Sequence, residues 1–260
     1  MRTEIAQKRE VFHLAFLRAL GRSVPPSALA LKGGCNLRFF FGSCRYSEDM
    51  DLDVTGIEVF ALKERVMSVL QSAPLAATLR TFGIDEIRPP DLARAKQTET
   101  VQRFKVHLLT AAGEDLSTKI EFSRRGMDAP VLAEPVSPEV LAAYRLAPLI
   151  VPHYAAPAAV RQKLQALASR PQAAARDVFD LYALSSQPGV ADMDLAREIG
   201  REQLEQALER TYSIDYRRYH DTVVSFLEPA DQTAFDRSEM WDQIRLVAVS
   251  LIERGLRDGR

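Results

Sequence analysis

The spacing of apolar residues divides this chain into two parts of different character. Over residues 4–20, Ile5, Val11, Phe12, Leu14, Ala15 and Leu17 recur at helical intervals with Lys8, Arg9 and Arg18 between them, which predicts a covering helix. Val24-Pro25-Pro26-Ser27 breaks the pattern. The apolar run 28–31 then predicts a strand that hands over, through Gly33 and Gly34, to a helix at 36–42, followed by a loop at 43–48 and a strand at 49–55. Further on, residues 58–71 read as a helix, 75–83 as a strand and 87–98 as a loop. Strict alternation over 101–111 and 116–125 predicts two strands joined by the turn Ala112-Gly113-Glu114-Asp115. Residues 131–136 and 149–154 read as edge or crossover strands interrupted by prolines. After Pro157 the strand signals stop, and helices are predicted at 158–169, 173–185, 195–211, 217–227 and 239–256. The pattern predicts an α/β lobe over residues 1–155 and a helical lobe over 156–260.

Chemistry concentrates where the first lobe changes period. Asp49, Asp51 and Asp53 alternate with Met50 and Leu52, so an extended chain carries all three carboxylates on one face. Such a row repels itself unless a cation neutralises it, and carboxylate oxygens suit Mg²⁺ or Mn²⁺. Gly33 and Gly34 lie where a strand meets a helix, a place where backbone N–H groups can face an anion without side chains in the way. A phosphate cradle beside paired carboxylates describes a site for a metal-bound nucleoside triphosphate. In 116–125, Lys119, Glu121 and Ser123 share one face. Taken alone, Glu121 on such a face would pair with Lys119 or an arginine.

Composition narrows the choices. With 260 residues, 47% hydrophobic and 27% charged, the chain can bury a substantial core. A net charge of −1 excludes binding of nucleic acid through bulk positive charge, so any such contact must be local. Cys35 and Cys44 read as free thiols of a reducing, cytoplasmic compartment, and the start of the chain carries no continuous apolar core of signal-peptide type. The longest apolar stretches are too short to span a bilayer. The four histidines have no ligand spacing.

The ordered block Lys32-Gly33-Gly34, Leu37-Arg38, Gly42, Arg45, Ser47, Asp49, Asp51 resembles the signature of the AbiEii/AbiGii nucleotidyltransferase toxins, members of the DNA polymerase β-like nucleotidyltransferase superfamily. A lysine on a helix followed by Arg176-Asp177-x-x-Asp180-Leu181 is similar to the downstream part of the same signature. The resemblance implies an α+β fold, a polymerase β-like lobe with a mixed sheet and a C-terminal helical lobe. It implies transfer of a nucleoside monophosphate from an NTP to an acceptor, with RNA such as a tRNA 3′ end as the acceptor and a cognate antitoxin as a partner. By the same resemblance Asp49, Asp51 and Glu121 hold Mg²⁺ or Mn²⁺ in two-metal chemistry, with Asp53 a secondary candidate. Lys32, Gly33, Gly34, Arg45 and Lys163 meet the nucleotide, Ser47 fixes the loop, and Asp177 and Asp180 complete or support the site.

Other readings stay open on the residues alone. Lys163 and Asp177 could form a salt bridge that only orients two helices. The acceptor could be a protein or a small molecule, and a nucleotide- or antitoxin-binding module without catalysis would carry much of the same block. Arg124-Arg125 could meet a phosphate. Arg217-Arg218 with Tyr212, Tyr216 and Tyr219 could form an RNA-stacking patch, although amphipathic helix faces of this composition are common.

Overall fold

A computed structural model describes residues 2–91, 97–127 and 129–258 of the chain, which divide into two compact units, 1–40 with 46–154 and 41–45 with 155–260. The first unit contains α1 (Arg2–Leu20), β1 (Leu29–Lys32), α2 (Gly33–Phe40), β2 (Met50–Val54), α3 (Val59–Leu70), α4 (Ala73–Arg80), β3 (Ile84–Arg88), β4 (Val101–Thr110), β5 (Asp115–Ser123), β6 (Val131–Pro135), α5 (Pro138–Ala143) and β7 (Ile150–Tyr154). Among the described residues, seven strands form one mixed sheet in the order β3-β4-β5-β2-β1-β7-β6. The β2–β5 and β1–β7 pairs are parallel and the others antiparallel.

Alternation gives the sheet two unlike faces. Phe104, Val106 and Leu108 of β4, Ile120 and Phe122 of β5, Leu52 of β2 and Leu31 of β1 are buried, and they join Phe12 and Phe16 of α1, Leu62 and Val66 of α3 and Leu75 and Leu79 of α4 in one core. Each such side chain contributes about 1.5–3 kcal/mol by leaving water. Phe104 and Phe122 meet edge to face, with ring centroids 5.8 Å apart. The alternate positions, among them Lys32, Asp51, Arg103, Lys105 and Glu121, fall on the other face.

The second unit is helical: α6 (Ala156–Ser169), α7 (Ala175–Leu184), α8 (Leu195–Ile199), α9 (Arg201–Tyr212), α10 (Tyr216–Thr222), a 3₁₀ turn (Val224–Phe226), α11 (Pro229–Phe235) and α12 (Ser238–Asp258). Its core includes Leu164, Phe179, Leu204, Tyr219, Trp241 and Ile252. Trp241 stacks on Tyr219 with centroids 4.6 Å apart, and its indole N–H donates to the Ile214 carbonyl at 3.2 Å. Residues 41–45 join this unit, with Arg45 bridging to Leu227.

Several elements differ from the pattern-based expectation. Most of residues 75–83 is helix, not strand: Leu75 and Leu79 lie four apart and both are buried, and Pro74 occupies the first turn, where its missing N–H is no loss. The strand comes later, at Ile84–Arg88, so the predicted loop at 87–98 begins inside it; residues 92–96 of that loop lie outside the described residues. The helix expected at 36–42 starts at Gly33, which puts both glycines in its first turn. The helix expected at 195–211 is broken at Gly200, whose φ of 87° an L residue adopts only at a cost. That at 217–227 splits into α10 and the 3₁₀ turn. The short helices α5 and α11 gave no periodic signal. No helix among the described residues is long and apolar enough to cross a membrane.

Candidate active site

Strand register assembles a row of four charges that are far apart in sequence. Lys32 of β1 lies opposite Asp51 of β2, Asp51 opposite Glu121 of β5, and Glu121 opposite Arg103 of β4. The order across the sheet is cation, carboxylate, carboxylate, cation. Because side chains alternate with a period of two, a slip of one residue in any pair would send a member of the row to the core face.

The Asp51 carboxyl is pushed above its ordinary value, first by burial. Lys119 and Lys32 oppose that shift, and Glu121 and Asp49 add to it. Glu121 Oε2 accepts a 2.6 Å hydrogen bond from Arg103 Nε and lies 3.9 Å from Lys119 Nζ. Glu121 is thus paired with both Lys119 and an arginine. Asp49 Oδ1 accepts from the Lys119 backbone N–H at 3.0 Å, and Oδ2 lies 3.1 Å from Lys119 Nζ. One ammonium therefore serves two carboxylates.

The backbone at Asp49 is anchored from beneath. Its carbonyl accepts from Ser47 Oγ at 2.7 Å and from Cys35 Sγ at 3.4 Å. Cys35 Sγ also lies 3.5 Å from His13 Nδ1, and His13 Nε2 lies 2.8 Å from Thr118 Oγ1. Thr118 gives its single proton to the Glu48 carbonyl at 2.7 Å, so His13 Nε2 is the donor in the His13–Thr118 bond. Burial lowers the His13 pKa to about 3 and keeps the ring neutral. Cys35 and Cys44 are not joined in a disulfide.

Gly33 closes the site from the helix side. Its φ is +69°, and a Cβ at this position would stand 2.7 Å from Asp51 Oδ2, so the close approach of backbone to carboxylate requires glycine. Gly34 follows in the first turn of α2. The third aspartate of the run, Asp53, is buried and accepts from Lys32 Nζ at 2.5 Å and from the Tyr154 hydroxyl at 2.6 Å. Arg103 and Tyr154 were not singled out by sequence. Arg103 shared its phase with Lys105 and His107, but only register brings it to Glu121, and Tyr154 gave no signal at all.

Among the described residues, no group of three or more His, Cys, Asp or Glu side chains converges as a metal nest. The donors nevertheless suit a hard divalent cation. Two carboxylates face one another across a strand pair, one with a raised pKa, and Asp49 lies two residues away.

Lys163, Asp177, Asp180 and Arg45 come together in the second unit. Asp177 and Asp180 lie one turn apart on α7, and both are fully buried. Arg45 Nη2 reaches both Asp180 oxygens at 3.0 Å. Lys163 Nζ lies 2.6 Å from Asp180 Oδ2 and 3.2 Å from Asp177 Oδ1, and Arg170 Nε lies 3.5 Å from Asp177 Oδ2. Among the described residues, Asp177 Oδ2 has no hydrogen-bond partner. Burial pushes the Lys163 pKa down, but Asp180 and then Asp177 outweigh it and the net shift is upward. Burial likewise raises the Asp180 pKa, and Arg45 and Lys163 reverse it to a net fall. Both groups are held charged. The candidate residues thus form two sets, the carboxylate row with Lys32, Gly33, Gly34 and Ser47 in the first unit, and the ion network in the second.

The fold recurs in solved structures. JHP933 from Helicobacter pylori has 19% identity and a TM-score of 0.55, with 98% of this chain and 93% of that one covered. MenT4, a nucleotidyltransferase toxin from Mycobacterium tuberculosis, has 18% identity and a TM-score of 0.59, with 100% and 94% covered. No curated protein matched the chain. The profile of the family described as nucleotidyl transferase AbiEii toxin, type IV toxin–antitoxin system, matches residues 15–245. The chain belongs to that family of nucleotidyltransferase toxins.

Proposed function

We infer that this toxin transfers a nucleoside monophosphate from an NTP to a hydroxyl of RNA, a tRNA 3′ end being the acceptor class, and releases pyrophosphate. The observation that carries the reading is the Asp51–Glu121 pair, set face to face across the parallel β2–β5 ladder. Asp49, Asp51 and Glu121 would hold Mg²⁺ or Mn²⁺, which when bound polarises the attacking hydroxyl and neutralises the triphosphate.

The chain's own residues have separate tasks in this proposal. Burial disfavours the ionised form of the Asp51 carboxylate, so a cation gains there. Glu121, steadied by Arg103, orients or takes up the proton of the attacking hydroxyl. The α2 N-terminus at Gly33 and Gly34, with Lys32 beside it, faces the phosphates. Ser47 keeps the loop before β2 in place through the Asp49 carbonyl. In the second unit, Arg45 and Lys163 are the candidate phosphate-binding cations, and Asp177 and Asp180 position them. A cognate antitoxin is the proposed protein partner, as the type IV toxin–antitoxin family implies.

The test is incubation of the protein with Mg²⁺, each α-labelled NTP in turn, and either purified tRNA or total cell protein. A labelled, lengthened tRNA is expected. Label on protein alone would overturn the RNA acceptor while leaving the transferase, and no label under any condition would overturn the reading.

A further inference from the structure

Asp53 shares a strand face with Asp51, yet it is built differently. Its side chain is 8% exposed, and both its oxygens face protein donors, Oδ1 the Lys32 ammonium and Oδ2 the Tyr154 hydroxyl. Each oxygen of this buried carboxylate is thus already held by a protein donor. Tyr154 is itself fixed. It is 1% exposed, and its carbonyl accepts from Asn36 Nδ2 at 2.9 Å, while Asn36 Oδ1 lies 3.0 Å from the neighbouring His153 Nδ1. Phe40 stacks on the His153 ring with centroids 3.6 Å apart and the planes 3° from parallel.

The choice Lys32 makes is the informative part. In the antiparallel β1–β2 pair its direct cross-strand partner is Asp51, and Asp53 lies opposite Ala30. A direct cross-strand pair of opposite charge is the favoured contact, and the diagonal is longer. Lys32 nevertheless takes the diagonal to Asp53. The Lys32 ammonium contacts the buried Tyr154–Asp53 pair, while its charge still acts on Asp51 through space. An ammonium has three donors, Asp53 Oδ1 takes one, and the Lys32 side chain remains 26% exposed, so two donors are left for an anion.

We propose that Asp53 and Tyr154 are positioning residues that divert Lys32 from Asp51. The diversion leaves the Asp51 carboxylate to a divalent cation and turns the lysine toward the phosphates of the nucleotide. The proposal rests on the reading of Asp51 as a cation ligand given above. It assigns Asp53 a role that is neither ligand nor bystander: without its charge, Lys32 falls back on Asp51 and competes with the metal.

The experiment is Mn²⁺ binding to the purified protein, followed by electron paramagnetic resonance, with melting temperature recorded for every variant. Asp53→Asn is expected to weaken Mn²⁺ roughly tenfold, the scale found when the surroundings of a metal ligand are altered, and Tyr154→Phe to weaken it less. Adding Lys32→Met to Asp53→Asn is expected to restore Mn²⁺ affinity, because the competing ammonium is gone. If Asp53 is itself a ligand, the double variant stays as weak as the single one and the proposal is overturned. It is equally overturned if Asp53→Asn binds Mn²⁺ like the parent. If Asp53→Asn unfolds, Tyr154→Phe with and without Lys32→Met repeats the comparison. Failure of the parent protein to bind Mn²⁺ would instead remove the metal reading and this proposal together.

Discussion

Asp51 and Glu121, seventy positions apart in sequence, are direct partners in the parallel β2–β5 register, on the sheet face opposite the helix-covered core. Burial raises the Asp51 carboxyl first, Lys119 and Lys32 offset part of that, and the like charge of Glu121 across the register adds to it, so the ionised carboxylate costs stability in the absence of a counter-ion.

That cost sets a sign for stability against pH. With its folded pKa raised, Asp51 binds a proton more readily in the folded than in the unfolded chain, so its contribution falls as pH rises from the ordinary value of 3.8 through the raised one. Asp51→Asn is therefore expected to raise the melting temperature at pH 7, with the gain shrinking as pH approaches 4. Calorimetry at a series of pH values checks this. A lower melting temperature at pH 7 would show that the carboxylate is a net stabiliser.

Gly33→Ala faces two penalties, a φ of +69° and a methyl group 2.7 Å from Asp51 Oδ2. The left-handed conformation alone costs an alanine roughly 1–2 kcal/mol, and displacing the carboxylate adds to it. Denaturant unfolding is expected to register the loss, and NTP affinity should drop with it. Unchanged NTP affinity would detach Gly33 from the nucleotide.

The buried network of the second unit supports a third expectation. Asp180→Asn strands Arg45 and Lys163 beside a neutral amide, and breaking a buried pair in this way costs about 3–5 kcal/mol. Adding Lys163→Met should recover part of that loss, measured by denaturant titration. Because the folded pKa of Asp180 is lowered, its contribution is full above the ordinary carboxylate value of 3.8 and is lost as pH falls through the lowered one. The acid limb of unfolding should therefore shorten in the Asp180→Asn variant.

His13 takes up its proton only at lower pH than an exposed histidine does. Its pKa falls from 6.5 to about 3 on burial, so the unfolded chain binds the extra proton between those values. Stability should drop by up to about 1.4 kcal/mol per pH unit on acidification across that window. His13→Gln is expected to flatten that slope. An unchanged slope would place the acid sensitivity elsewhere.

The sequence made much of this arrangement legible, for identifiable reasons. The alternation of Asp49, Asp51 and Asp53 with apolar residues marks a strand with one acidic face, and Lys119, Glu121 and Ser123 mark another. The three-residue spacing of Asp177 and Asp180 places them on one helix face. Which strands lie side by side is a long-range matter that local periodicity does not carry, so Arg103 beside Glu121 and Tyr154 beside Asp53 were invisible. The strand predicted at 75–83 failed because short apolar runs fit either period, and there Ala76, Ala77 and the proline-started turn favour helix. By phase alone Asp53 matches Asp49 and Asp51, and the resemblance makes it only a secondary candidate; its burial and its bonds to Lys32 and Tyr154 are seen only in the structure.

The most direct test of the central claim is pyrophosphate release from NTP in the presence of Mg²⁺ and tRNA, compared between the parent protein and folded Asp51→Asn and Glu121→Gln variants. Release by the parent, and its loss by more than about 100-fold in Asp51→Asn, is the predicted result, since changes merely around a metal ligand already cost 10–100-fold. Release that continues at the parent rate in both variants would contradict the assignment of this carboxylate pair as the catalytic centre.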